Sequence, residues 1–205
     1  MIINREELSR ITPTKADYYD GSLIHKRFGY KAFRNRIVPT VSIVAFRAPM
    51  KVEIDGMIDL EDVLQNDYIY SDDAISFCLE VPNMCPMGAV ALQRLFNTQV
   101  ATILQNIIQK PIEVDGDDLL VHDEFEGSDG TIQNKGKCSV SIAYSKDNVM
   151  MMHTGINVNA GKQAPNFAYS TKLTDEQCEQ FMKDVIDMAY ELVDSMFIAT
   201  SKLTV

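Results

Sequence analysis

Two pairs of extended runs late in the chain, each joined by a turn and not by a helix, constrain the fold most. Ile112-Glu113-Val114-Asp115-Gly116-Asp117-Asp118-Leu119-Leu120-Val121 reads as strand, turn, strand, with Asp115-Gly116 as the turn signal. Lys137 to Tyr144 and Val149 to Val158 are two further strands, joined as a hairpin through Ser145-Lys146-Asp147-Asn148. Parallel neighbours need a crossover of about a dozen residues or more, so strands this close in sequence pair antiparallel. The acidic, glycine-containing stretch after Val121, through Gly130, reads as a loop.

Upstream, Thr40 to Val52 is rich in Val, Ile and Phe and reads as one or two buried strands, and Ala74 to Val81 as another, stopped by Pro82. Ile58 to Leu64 has the pattern of a short amphipathic helix with acids in its first turn, where the helix dipole favours them. The strongest helical signal lies between Pro86 and Pro111. There Val90, Leu92, Leu95, Phe96, Val100, Ile103, Leu104, Ile107 and Ile108 recur at spacings of three and four. A closing helix runs from about Asp175 to Ser195, opened by Thr174 and Gln177 as a capping box, with Phe181, Val185, Met188 and Leu192 as its apolar face. Hairpins plus a few long helices predict an α+β domain, a mostly antiparallel sheet with helices packed on one face. At 205 residues with no Pro/Gly/Ser linker, the chain reads as a single domain over 1–205. The absence of a βαβ rhythm, of G-x-G-x-x-G and of G-x-x-x-x-G-K-[ST] excludes Rossmann and P-loop readings.

The formal charge of −10 opposes nonspecific binding to nucleic acid or to anionic membrane. One segment runs against it: Lys26 to Arg36 holds five basic residues and no acid, interleaved with Phe28, Tyr30 and Phe33, and the remainder carries −15. Such a segment suits a phosphate or a stacked base, with Arg27, Lys31 and Arg34 as its contacts, or is a solvated basic strand. No run of about 18 apolar residues occurs, and the first residues lack a signal-peptide pattern, so a cytoplasmic protein is expected. Four scattered cysteines and three scattered histidines match no zinc spacing, so no metal site is expected.

A few residues stand out chemically. Lys137, starting a buried strand beside a glycine-bearing strand where a ligand can approach the backbone at Gly155, is a reasonable anion receptor; otherwise it reaches solvent at a strand end. Glu80 sits in an apolar run, where desolvation favours a general acid or base, or a paired structural charge. His153 is a second proton-transfer candidate or a structural histidine. Asp20-Gly21-Ser22 is a turn that presents Ser22. Asp72 and Asp73 are either a Mg²⁺ contact near a phosphate or an acidic cap before the strand.

Gly136-Lys137-Cys138-Ser139-Val140-Ser141-Ile142-Ala143 together with Met152-His153-Thr154-Gly155-Ile156-Asn157-Val158-Asn159 resembles the centre of the biotin- and lipoate-protein ligase catalytic domain. There a strand beginning at an essential lysine is hairpinned to a strand ending in Gly-Ile-Asn-Val-Asn. The resemblance implies that Lys137 contacts a substrate carboxylate and an activating phosphate, that Asn157 lies near a nucleotide, and that ATP and Mg²⁺ are the cofactors to look for. From about Tyr18 to Ser195 the chain also resembles a mainly archaeal family of unknown function with that ligase-like fold, through Tyr19-Asp20-Gly21-Ser22, Met57 to Asp62 and Ile69 to Asp73. The Gly-Arg-Gly-Arg loop of biotin ligases and the Gly-Gly-Gly turn of lipoate ligases are absent. The nearest substitute is Arg27-Phe28-Gly29-Tyr30-Lys31.

The expectation is therefore an enzyme of the ligase, transferase or lyase type acting on a small carboxylated, heterocyclic or nucleobase-like molecule. Lys137 holds the carboxylate, Asn157 and Arg27 to Arg36 orient a ring or phosphate, and the chemistry is acyl activation or decarboxylation. A deazaguanine-type nucleobase, in viral or archaeal nucleic-acid modification, is one substrate class that fits. The alternative is a non-catalytic small-molecule or nucleotide-binding module on the same fold, and a homodimer is open to either.

Overall fold

The structure, a computed structural model, describes residues 18–22, 24 and 41–202. Strand β1 (Ser42–Val52) runs antiparallel to β2 (Ile69–Pro82), with a short 3-10 turn at Ile54–Gly56 and helix α1 (Leu60–Gln65) between them. Helix α2 (Pro86–Ile108) follows, then β3 (Ile112–Asp115), β4 (Asp118–Glu126), β5 (Ile132–Lys137), β6 (Ser139–Lys146), β7 (Val149–Asn159) and helix α3 (Asp175–Ser201). The strands form two antiparallel sheets and not one: β1-β2-β7-β6 and β3-β4-β5. The α+β architecture is as the sequence implies; the division into two sheets is not visible there.

The division happens at one residue. The Cys138 N–H donates to the Leu119 carbonyl of β4, and its carbonyl accepts from the Asn157 N–H of β7. The chain thus leaves the small sheet at Lys137 and joins the large one at Ser139. Lys137 accordingly ends β5 and does not start β6, which corrects the sequence expectation. A second correction concerns the acidic stretch after Val121. It continues β4 to Glu126, because its acids find partners: Asp123 takes the Lys110 ammonium at 2.8 Å and the Tyr169 hydroxyl at 2.9 Å.

Both long helices lie on one face of the large sheet. Phe77 of β2 meets Phe96 of α2 and Phe181 of α3 edge-on, with ring centroids 6.2 and 5.7 Å apart, each pair contributing about 1 kcal/mol beyond area burial. A buried polar chain fixes the same face. Gln93 donates to the Ser141 hydroxyl, Ser141 and Thr154 share a bond of 2.9 Å, Thr154 donates to Asn97 Oδ1, and the Asn97 amide donates to the Asp117 carbonyl. On α2 the buried stripe is Leu92, Phe96, Val100 and Leu104, while Val90 and Leu95 face solvent. On α3, opened by the expected capping box, the stripe is Phe181, Val185, Ala189 and Val193, with Met188 and Leu192 at its margin.

Candidate functional site

Thr154 points to α2, so alternation along β7 puts His153, Gly155 and Asn157 on the opposite face of the large sheet. The β6–β7 turn fixes their level: Asp147 and Asn148 both have positive φ, 49° and 63°, as a two-residue hairpin turn requires. Register then sets Ser139 against Ile156, and Cys138 bonds to Asn157, which leaves Lys137 one residue from the Asn157 pair. The two residues do end level, away from the hairpin.

Over this face lies Tyr19. Its N–H donates to the Pro49 carbonyl and its carbonyl accepts from Lys51, both at 2.8 Å, so the segment docks along β1. Its ring stacks on His153, centroids 3.9 Å apart and 8° from parallel. His153 Nε2 sits 3.1 Å from the Ser76 hydroxyl. Burial pushes the imidazole down to about 3, so it is neutral at physiological pH. Its geometry is that of a packed, neutral ring and not of a proton carrier. Gly155 likewise serves packing: a Cβ there would lie 3.2 Å from the Met50 sulfur and 3.2 Å from the His153 ring. Met50, not an incoming ligand, is what approaches the backbone at Gly155.

Glu80 is buried on this face opposite Met151, whereas Asn157 lies opposite Ala74. Six residues of strand separate them, roughly 20 Å. His153, across from Cys78, is a diagonal neighbour of Glu80 on this face, whereas Lys137 lies at the far Asn157 end, so the three do not converge. Ser22 donates its N–H to Asp20 Oδ1 at 2.8 Å in a tight turn. It lines a cavity of about 840 Å³ together with Lys51, Glu53, Tyr70 and Tyr144. A pocket of about 50 Å³ adjoins it, between Tyr19 and His153 on one side and Asp59 and Asp62 on the other. A third cleft, about 710 Å³, lies at Asn159, Gly161, Tyr169 and Lys172. Arg27, Lys31 and Arg34 lie outside the described residues.

The surroundings of Lys137 are acidic. Its ammonium pairs with Asp118 at 2.8 Å, both side chains about one-third exposed. Asp62 and Asp117 lie close enough to feel its charge. Burial holds both their carboxyls above the usual range; Lys137 pulls Asp62 partly back, and Arg94, paired with Asp117 at 2.7 Å, and then Lys137 do the same for Asp117. Asp118 and Asp62 are not singled out by the sequence; Asp118 sits in a stretch read as strand, turn, strand, and Asp62 in a short amphipathic helix. Asp73 is held by the Arg47 guanidinium through contacts of 2.6 to 3.0 Å, and Asp72 packs against Gly161 and accepts from the Tyr70 hydroxyl. Among the described residues, no group of three or more His, Cys, Asp or Glu side chains is arranged to hold a metal ion.

Residues 8–204 match the family described as a domain of unknown function, DUF366. The chain belongs to that family. An uncharacterised protein from Methanocaldococcus jannaschii is 28% identical over 146 residues, which cover 69% of this chain and 59% of the relative. The chain thus spans about three-fifths of that relative's length. A solved structure of a protein of unknown function from Pyrococcus horikoshi superposes with a TM-score of 0.77 at 24% identity, covering 94% of this chain and 95% of the other. A biotin protein ligase variant from Aquifex aeolicus, solved with biotin, is more distant: TM-score 0.49, 15% identity, covering 80% of this chain and 65% of that one. In this DUF366 chain no helix among the described residues is long and apolar enough to cross a membrane.

Proposed function

We propose that the protein is an enzyme that removes the carboxyl group from a small heteroaromatic acid bound at the Lys137 and Asn157 end of the large sheet. The observation that carries this reading is the ion pair of Lys137 with Asp118 at 2.8 Å, flanked by Asp62 and Asp117. Besides Asp118, a substrate carboxylate held by Lys137 there has Asp62 and Asp117 within electrostatic range, Asp117 itself being paired with Arg94 at 2.7 Å. They raise the energy of the bound acid, and that repulsion fades as the charge leaves with CO₂. The bond from ring to carboxyl carbon breaks, its electron pair stays on the ring carbon, and the Lys137 ammonium delivers the proton that replaces the carboxyl group. Water then reprotonates the amine. Asp118 holds the ammonium in place through this step.

The same cluster fits a polyphosphate poorly, because a triphosphate at Lys137 would meet a local excess of negative charge. The sequence also lacks the two ligase loops that cradle an activated acid. No step is therefore routed through ATP. A carboxylated deazaguanine is a substrate that combines the required acid with a planar ring, and it serves as the first probe.

The test is to incubate the protein with 7-carboxy-7-deazaguanine and a panel of heteroaryl carboxylic acids, with and without ATP and Mg²⁺. Loss of CO₂ is read by mass spectrometry. ATP-independent loss that disappears in Lys137→Ala is the expected result. That variant also weakens carboxylate binding by roughly 2 kcal/mol, a lost charge-assisted hydrogen bond. Its folding stability changes by about 1 kcal/mol or less, since the pair with Asp118 is partly exposed. Formation of AMP and an acyl-adenylate would replace decarboxylation with activation. Tight binding without any turnover would favour a binding module.

A further inference from the structure

Asn157 is 4% exposed, and its backbone groups are fully used: the N–H by Cys138, the carbonyl by both the N–H and the hydroxyl of Thr171. Its side-chain Oδ1 finds no donor among the described residues. A buried amide oxygen without a donor is costly, and an apolar side chain of the same shape would remove that cost. Its register neighbours are small: Ala74 directly across β7–β2, and Ala48 beyond it on β1. On the other side, Cys138 pairs with Asn157 and Lys137 is the next residue. Lys137 is therefore one residue from the cross-strand partner of Asn157, and the two residues share one end of the sheet.

We infer that Asn157 determines specificity at this site: its Oδ1 accepts a hydrogen bond from a ring N–H of the bound heteroaromatic acid. This rests on the reading of Lys137 as the carboxylate contact, and it narrows the substrate class to acids whose ring carries an N–H donor near the carboxyl group. Rings with oxygen or an N-alkyl group at that position leave the buried acceptor unsatisfied and are rejected.

The experiment uses an isosteric series: pyrrole-2-carboxylate, N-methylpyrrole-2-carboxylate and furan-2-carboxylate, with pyrrole-2-carboxamide as the uncharged control. Affinities are titrated by ligand-observed NMR against the full chain and against Asn157→Leu and Asn157→Ala. The expected result is a tenfold or greater preference of the wild type for the pyrrole acid, falling to parity in both variants. The Asn157→Leu Tm should equal or exceed that of the wild type, because no internal hydrogen bond is lost; Asn157→Ala, which leaves a void, should lose stability yet show the same parity. Equal binding of the three acids by the wild type overturns the inference while leaving Lys137 in place. So does a pyrrole preference that survives in Asn157→Leu, or a Tm several degrees lower in that variant, which would mean Oδ1 is satisfied within the protein. If the carboxamide binds as tightly as the acid and keeps the N–H preference, the inference stands and the role of Lys137 falls. Failure of the whole series to bind overturns it.

Discussion

His153 illustrates how burial decides a role that residue type leaves open. A histidine four residues before Asn157 on the same face reads equally as a proton carrier or as packing. The ring of Tyr19, 3.9 Å above it, settles the environment. Because the folded imidazole titrates at about 3 and an unfolded one near 6.5, the two states bind protons equally above pH 6.5. Below that, the unfolded chain takes up a proton that the folded one refuses, and stability falls by about 1.4 kcal/mol per pH unit until pH approaches 3. The neighbouring Cys78 thiol, pushed up to about 12 by burial, and the Tyr19 phenol, raised further, do not titrate in this window. Urea midpoints at pH 7.5 and 5.5 should therefore differ more for the wild type than for His153→Phe, which keeps the stack. An equal pH dependence in the two proteins would show that His153 is protonated in the fold.

At the level of elements, the polar chain from Gln93 to Asp117 joins α2, β6, β7 and the β3–β4 turn in one connected set of bonds. Thr154→Val keeps the shape but removes the hydroxyl that serves both Ser141 and Asn97. Asn97 Oδ1 is then left buried without a donor, and a loss of about 2 kcal/mol follows; a urea midpoint unchanged from wild type would contradict this. The elements that the sequence made legible are those whose burial is one-sided: α2, α3 with its capping box, and the β6–β7 hairpin that levels Lys137 with Asn157. What it hid has a physical reason in each case. Residues 122–126 set four polar residues around one apolar residue, Phe125, and read as loop; their strand is held by ion pairs such as Lys110 with Asp123 and by the packing of Phe125 on Tyr169. Gly136 looks like a strand breaker, yet a Cβ there would strike the Phe125 ring at 2.5 Å, so glycine is what lets β5 pass under it. The acidic wall around Lys137 joins Asp62 of α1 to the consecutive Asp117 and Asp118 of the β3–β4 turn and β4, far along the chain, and no local pattern announces that meeting.

Taken whole, the molecule is acidic outside one basic segment, with −15 against five positive charges. At physiological salt that imbalance should keep affinity for a random DNA duplex weaker than micromolar; fluorescence anisotropy with a labelled duplex reads this directly, and tighter binding would show the basic segment acting alone. The same scale decides whether two sheets mean two folding units. Leu119 and Val121 of the small sheet belong to one continuous buried core with Phe96 of α2 and Ile156 of β7. The chain also passes between the sheets at Cys138 by hydrogen bonds to both. A single cooperative unit is the expected outcome, although the strands are partitioned. Leu119 is fully buried, so Leu119→Ala should cost about 2–5 kcal/mol. With no tryptophan in the chain, tyrosine fluorescence reports tertiary structure: Tyr169 packs on Phe125 beside the small sheet, and Tyr19 and Tyr190 on the large one. In urea, tyrosine emission and far-UV circular dichroism should trace one superimposable transition, and Leu119→Ala should move both to lower urea by the same amount. If the variant instead splits the curve, with helix signal persisting after part of the tyrosine signal is lost, the small sheet unfolds on its own, and Asp118 leaves Lys137 before the large sheet gives way.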